Sequence, residues 1–328
     1  MKSKLKNILQ TLFFTALGFA FIWWFWTKLG AEERTQIWDS LSKTNYLWFG
    51  FAIIVSLLSH YVRALRWRLM SETFGCKVSR TNSFLAVMSG YLTNLAVPRL
   101  GEVVRCTMLK QSDNIPIEKS LGTIITERII DMVIFALLLL TTIVIQKDLL
   151  LDYIEKNLNL DFNNLFQLFI IGMVVIIVIV ALFFAFKRKI KNNKTLNKTK
   201  ELVKGFLEGI KSIFKLKNPL LFIFYSLLIW ALWIFGTFVC FKCLSQTEIL
   251  NHIQALVTTV LGAFGPMITP GGIGLQPAIF AEVLETYTIS RPIAYVCGWL
   301  SWISSQIGTI VVGLIAFVYF SFKKKKQI

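Results

Sequence analysis

The sequence predicts an all-α integral membrane protein: a polytopic helical bundle of about six full spans plus two re-entrant broken-helix hairpins. Three observations lead there. The chain has 328 residues, of which 55% are hydrophobic, with 28 Phe and 10 Trp, too apolar a composition for one soluble core of that length. Six apolar runs reach about 20 residues, enough to cross a hydrocarbon core of roughly 30 Å. Two further apolar regions, residues 81–110 and 251–286, are broken by Pro98-Arg99-Leu100-Gly101-Glu102 and by Pro270-Gly271-Gly272-Ile273-Gly274. Irregular backbone at membrane depth survives only where protein or a water-filled cavity satisfies its amides, so both breaks point to an internal polar site.

The first run, residues 8–27, follows Lys2, Lys4 and Lys6 as a signal peptide would. It is too long for one, carries Trp23, Trp24 and Trp26, and lacks a small-residue cleavage pattern, so a retained anchor is expected. The other unbroken runs are residues 46–65, 120–146, 164–186, 219–241 and 293–320, and Asn218-Pro219 opens one of them with a residue favoured in a first helical turn. A net charge of +17 would suggest nucleic acid in a soluble protein. Here Lys and Arg gather in short loops beside apolar runs, where they set orientation instead, and nucleic-acid binding is not expected.

Charge then fixes the topology. Residues 187–217 hold eleven basic side chains against Glu201 and Glu208 and belong in the cytoplasm, as do both termini and the group Arg63, Arg66, Arg68, Lys77 and Arg80. Residues 147–161, with Asp148, Asp152, Glu155 and Asp161 against two lysines, suit the outer face. Had residues 81–97 crossed only once, the strongly basic loop would fall outside. Each broken region therefore crosses an even number of times, most simply as a re-entrant hairpin.

One transmembrane domain over residues 1–328 follows, in two halves. Residues 1–146 give three spans and a hairpin opening to the cytoplasm; residues 164–320 give three spans and a hairpin opening outward. The halves are inverted relative to each other on topology alone, without residue-level similarity, and inverted repeats with discontinuous helices are an architecture of alternating-access carriers. Between them, Leu202, Val203, Phe206, Leu207, Ile210, Ile213 and Phe214 share one helical face, opposite Lys200, Lys204, Glu208, Lys211 and Lys215. This stripe fits a cytoplasmic helix lying on anionic headgroups or a connector packed under the bundle.

Six charges mark the first half: Arg99, Glu102 and Arg105 around the first break, and Glu127, Arg128 and Asp131 early in the run at 120–146. A charge at the centre of a helix costs roughly 2.5 to 3.5 kcal/mol on insertion scales, so several are tolerated only if they pair or face water. Glu102 and Arg105 are three apart and Glu127 and Asp131 four apart, so each pair shares a helix face and permits a polar, substrate-binding pocket. Arg99 and Arg105 suit a lipid phosphate, because guanidinium offers forked donors to its oxygens. The competing reading places these charges at the cytoplasmic boundary, where they only anchor helix ends.

Pro98, Gly101, Pro270, Gly271, Gly272 and Gly274 are the expected hinge and re-entrant positions. The glycines of the second break permit positive φ, which serves close helix approach or contact with a ligand equally well. Gln276, Glu282 and Gln306 are candidates to line an outer route. His60 and His252 have no partner pattern. Cys240 and Cys243 form a lone CxxC without two further ligands, so no metal and no cofactor is expected.

The same residues carry a resemblance. Pro98-Arg99-Leu100-Gly101-Glu102 with Arg105, Glu127-Arg128 with Asp131, and Pro270-Gly271-Gly272-Ile273-Gly274, in that order, are similar to the lysylphosphatidylglycerol synthase transmembrane, or flippase-like, family over almost the whole chain. The resemblance implies a fold with re-entrant helices and, in full-length synthases, movement of aminoacylated phosphatidylglycerol to the outer leaflet. No soluble aminoacyl-transferase domain is read here, so lipid aminoacylation is not carried over.

The function expected is a lipid flippase or transporter of the cytoplasmic membrane, moving a polar phospholipid or lipid-linked headgroup between leaflets. Arg99 and Arg105 would hold phosphate; Glu102, Glu127 and Asp131 would receive a cationic group or a proton. The alternatives are an integral-membrane glycosyltransferase acting on a lipid-linked sugar, and a non-catalytic partner of an envelope synthase. No D-x-D pair and no HExxH occurs, so an enzyme is not expected. Membrane lipids are the expected partners, with a homo-oligomer or an envelope-synthesis partner also open.

Overall fold

The computed structural model describes residues 30–147 apart from 75, 77, 98 and 99, residues 216–325, and six positions between 16 and 27. Among the described residues every regular element is a helix. Four are long and apolar enough to cross a membrane: Tyr46–Ser71, Ser120–Ile145, Pro219–Phe241 and Arg291–Lys323. They match four of the six expected spans. The expected spans at 8–27 and 164–186 and the basic connector at 187–217 lie wholly or largely outside the described residues.

Helix α1 (Ala31–Ser42) was not anticipated. The Gly30 amide at its start donates to Glu33 Oε2 at 2.7 Å, and Glu32 and Glu33 complement the partial positive charge of the first turn. Helix α2 (Tyr46–Ser71) begins where the Asn45 side chain accepts the Leu47 amide at 3.1 Å. Its 26 residues rise about 39 Å. It therefore runs past the expected end at 65, so that Arg66 and Arg68 are helical along with Arg63. The reason is a stripe at helical spacing, Ala52, Val55, Ser59, Val62, Arg66 and Met70, which is buried along its length.

The first broken region is a helical hairpin, α3 (Arg80–Ala96) and α4 (Leu100–Asp113). Its open ends are tied by Asn82 Nδ2, which donates to both Asp113 oxygens at 3.0 and 2.9 Å. The arms cross at two glycines. A Cβ on Gly101 would lie 2.0 Å from the Gly90 carbonyl oxygen, so no larger residue fits. Seventeen residues of α3 rise about 26 Å, less than a hydrocarbon core of roughly 30 Å.

Asn114 (φ 55°) ends α4, and Pro116 then opens α5 (Ile117–Ile145). Helix α6 (Pro219–Phe241) starts on its proline as expected and lies along α2, where Trp233 Nε1 donates to Ser59 Oγ at 3.1 Å. The second broken region is again a hairpin. One arm is α7 (His252–Gly262) continued by α8 (Phe264–Ile268); the turn is Pro270–Gly272; the return arm is α9 (Leu275–Glu285). Gly271, Gly272 and Gly274 take φ of 59°, 78° and 71°, the positive values expected of them.

The longest helix, α10 (Arg291–Lys325), orders the two hairpins. At its start Arg291 pairs with Glu282, near the open end of the second hairpin. Near its other end Tyr319 Oη donates at 3.1 Å to Asn82 Oδ1, at the open end of the first. The hairpins thus approach from opposite ends of α10, and their tips meet between. A Cβ on Gly271 would lie 2.3 Å from Leu95 Cδ2, and Trp302 Nε1 of α10 donates to the Gly271 carbonyl oxygen at 2.8 Å. Apolar clusters fill both ends: Trp67, Leu85, Leu109, Ile115 and Phe320 at one, Phe241, Ala255, Ala281, Leu284 and Leu300 at the other. Large apolar side chains such as Leu47, Ile54, Leu137, Val144, Leu220 and Val318 cover the outside, the surface lipid would wet.

Candidate functional site

Spacing on α5 builds the site first. Glu127 and Asp131, one turn apart, face α2 and its Arg63 and Arg66, which are three residues apart. Asp131 accepts from Arg63 Nη1 at 2.9 Å and from both terminal nitrogens of Arg66 at 2.6 and 3.2 Å. Arg66 Nη1 also donates to Ser226 Oγ of α6 at 3.1 Å. From α4, Arg105 Nη1 donates to Glu127 Oε2 at 2.9 Å. The other Glu127 oxygen stands 3.7 Å from Arg66 Nε, close enough for attraction but not for a hydrogen bond. Five charged side chains from three helices therefore form one chain, with a fourth helix supplying a hydroxyl.

Protein encloses four of them and leaves the Asp131 side chain 12% exposed. Arg66 is fully buried, and Glu127, Arg63 and Arg105 are exposed by only 2%, 5% and 8%. Ions so far from water persist only when paired and hydrogen-bonded. Aromatic faces supply the rest of the wall: Arg105 lies over Trp67 at 5.1 Å, Arg63 over Trp233 at 5.3 Å and Tyr91 at 5.9 Å, and Arg66 over Phe222 at 5.7 Å. Trp67 is held in turn, its Nε1 donating to Thr123 Oγ1 at 2.9 Å.

Of the six charges singled out in the sequence, Arg105, Glu127 and Asp131 meet in this network. Glu102 and Arg128 form a separate pair at 2.7 Å on its rim, with the Arg128 side chain 54% exposed. Pro98 and Arg99 lie outside the described residues. Arg128 is exposed, whereas Glu127 and Arg105 are enclosed by protein.

At the second tip, Gly272 packs against Pro266 and Gln276, and Gly271 against Leu95, so close approach accounts for these glycines together with their φ. Pro270 is buried there. Glu282 is occupied by Arg291. His60 lies against Tyr91 with ring centroids 4.7 Å apart and planes tilted by 42°, and its Nε2 lies 3.4 Å from Thr309 Oγ1. Cys240 and Cys243 are buried at the end of α6, and among the described residues no three His, Cys, Asp or Glu side chains converge as a metal would need.

The sequence reading missed Arg63, Arg66, Ser226 and Trp67. The signal for the arginines was their place on the apolar stripe that begins at Ala52.

Two opposed hairpins meeting tip to tip, beside an enclosed network of ion pairs, define a polytopic membrane protein built around discontinuous helices. The chain belongs to the family described as the lysylphosphatidylglycerol synthase TM region, which matches residues 8–313. It is 24% identical over 328 residues to the UPF0104 membrane protein MJ1595 of Methanocaldococcus jannaschii, covering 94% of this chain and 95% of that one. No solved structure matches it.

Proposed function

We propose that the protein is a lipid carrier, passing a polar phospholipid or lipid-linked headgroup between the leaflets of the cytoplasmic membrane. In this reading both termini are cytoplasmic, and each hairpin is re-entrant from its own side. The observation that carries it is the meeting of two short hairpins at Leu95 and Gly271, next to charges already stripped of water. A headgroup cannot enter hydrocarbon without replacement for its hydration, and buried guanidinium and carboxylate groups offer that replacement. Hairpins that dead-end against each other give each side its own door, which is what alternating access requires. Family membership adds a link to membrane-lipid processes.

Arg105 is assigned to the phosphate, together with Arg99 as the sequence suggests. Glu127 faces Arg105 across the α4–α5 contact, and Glu102 stands three residues before Arg105 on α4. Asp131 is engaged by Arg63 and Arg66, so its role is to position them. The test is leaflet-resolved lipid transfer in proteoliposomes across several headgroups, with Arg105→Ala as the comparison. Transfer of at least one headgroup by the parent, and its loss in a folded Arg105→Ala protein, is expected. Absence of transfer for every headgroup by folded parent protein overturns the proposal.

A further inference from the structure

The guanidinium of Arg105 is used on one side only. Nη1 bonds Glu127 and the flat face lies on Trp67, whereas Nε and Nη2 are buried and have no hydrogen-bond partner. Those two N–H groups share one edge of the planar group, the edge that grips two oxygens of a phosphate or carboxylate in a fork. Buried donors left unpaired are costly, so a whole unpaired edge on a side chain as enclosed as this one marks a place for an acceptor.

The charges say which acceptor. Among the described residues Arg63, Arg66 and Arg105 outnumber Glu127 and Asp131 in the enclosed network, leaving one formal positive charge, while Glu102 and Arg128 on the rim cancel each other. An uncompensated charge in low dielectric attracts one opposite charge and repels a second like one. Two buried acceptors, Glu102 Oε2 and Glu127 Oε1, and two further donors, Arg63 Nε and Arg66 Nε, are also unpartnered. Hydroxyl groups satisfy them without adding charge. The complement of this set is a singly charged phosphodiester flanked by hydroxyls.

We infer that the Nε/Nη2 edge of Arg105 docks the phosphodiester oxyanion of an anionic lipid headgroup, and that the site selects such headgroups over those carrying an added positive charge. This rests on the carrier reading above and names its cargo class.

The test uses the purified full chain in detergent micelles, with thermal protection and native mass spectrometry as readouts. The probes are short-chain phosphatidylglycerol, short-chain phosphatidylcholine and inorganic phosphate. Phosphatidylglycerol is expected to bind, with phosphatidylcholine and the Arg105→Lys variant each weaker by about tenfold or more, since Lys keeps the charge and loses the fork. Equal binding of the two lipids overturns the inference. So does an Arg105→Lys protein that binds like the parent, or protection by inorganic phosphate with none by lipid. If Arg105→Lys fails to fold, the comparison of headgroups on the parent still decides. Leaflet transfer by the same preparation separates the two proposals: selective binding without transfer removes the carrier and keeps the site, and transfer without Arg105-dependent selection does the reverse.

Discussion

Replacing Asp131 with Asn probes whether the enclosed network holds the helices together. Asp131 accepts three hydrogen bonds from two arginines on α2, at 2.6, 2.9 and 3.2 Å. Asparagine keeps one acceptor oxygen and turns an amide NH2 toward a guanidinium that has no use for it. It also raises the formal charge of the enclosed set by one. Breaking a buried pair by removing one partner costs about 3 to 5 kcal/mol, because the other charge stays buried. The retained oxygen sets the expectation near the lower end, about 3 kcal/mol, which lowers the folded-to-unfolded ratio by roughly 150-fold. Unfolding in mixed micelles with increasing SDS measures this, and Trp67 and Trp233, which stack on network arginines, report it by fluorescence. The double variant Asp131→Asn with Arg63→Met removes one stranded charge, so a coupling of about 1 to 3 kcal/mol in the mutant cycle should return. An Asp131→Asn protein within about 0.5 kcal/mol of the parent would mean that water reaches these side chains and that the network is not enclosed.

Three further outcomes follow from the same geometry. Gly101→Ala forces a Cβ against the Gly90 carbonyl and should destabilise by about 1 to 3 kcal/mol or more, whereas Gly50→Ala, with nothing within 4 Å, should be neutral or slightly stabilising; thermal unfolding in detergent compares them. If the cargo carries one negative charge, an inside-negative potential of 100 mV favours its outward transfer by about 2.3 kcal/mol, roughly a 50-fold bias between leaflets. Potassium diffusion potentials in proteoliposomes would show it, and an unbiased distribution would mean that the cargo crosses uncharged. Single cysteines in a cysteine-free chain report the hairpin directions: Asn114→Cys should react with an impermeant maleimide only from the cytoplasmic side and Thr288→Cys only from outside. Labelling of both from one side would contradict the opposed arrangement.

The hairpins were legible in the sequence because their signals are local. Regions marked at 81–110 and 251–286 became helix pairs over 80–113 and 252–285, since proline, glycine and the capping residues Ser79 and Asn251 act within a turn of where they stand. The partners in the network were not legible in the same way. Arg63 and Arg66 meet Asp131 across separations of 68 and 65 residues, and arginines near the end of an apolar run ordinarily signal a loop. Only their register with Ala52, Val55 and Ser59 distinguished a buried face from a cytoplasmic end. Helix α1 escaped notice because Glu32, Glu33 and Arg34 crowd its first turn and leave Ile37 as its one buried apolar side chain.

The bonds within the site show which helices hold it and where a ligand would enter. Three hydrogen bonds through Asp131 join α2 to α5, and Ser226 adds α6, so these three helices make a frame. The first hairpin is tied to that frame from both arms, through Arg105–Glu127 and Glu102–Arg128 on α4 and, on α3, through Ser83 Oγ, which donates to the Ala64 carbonyl at 2.9 Å, and Tyr91 against His60, while the arms are locked together by the Gly90–Gly101 crossing. That hairpin bears Leu95, which meets the second hairpin, as well as Arg105, so the tip contact and the free guanidinium edge belong to one body. An oxyanion at the free Nε/Nη2 edge of Arg105 shares the guanidinium with Glu127 on Nη1, and its charge weakens the pull on Glu127. Glu127 is not stranded when that happens, because Arg66 Nε already stands 3.7 Å from its second oxygen and can close that gap. Ligand binding then loads both edges of Arg105, with the frame left intact.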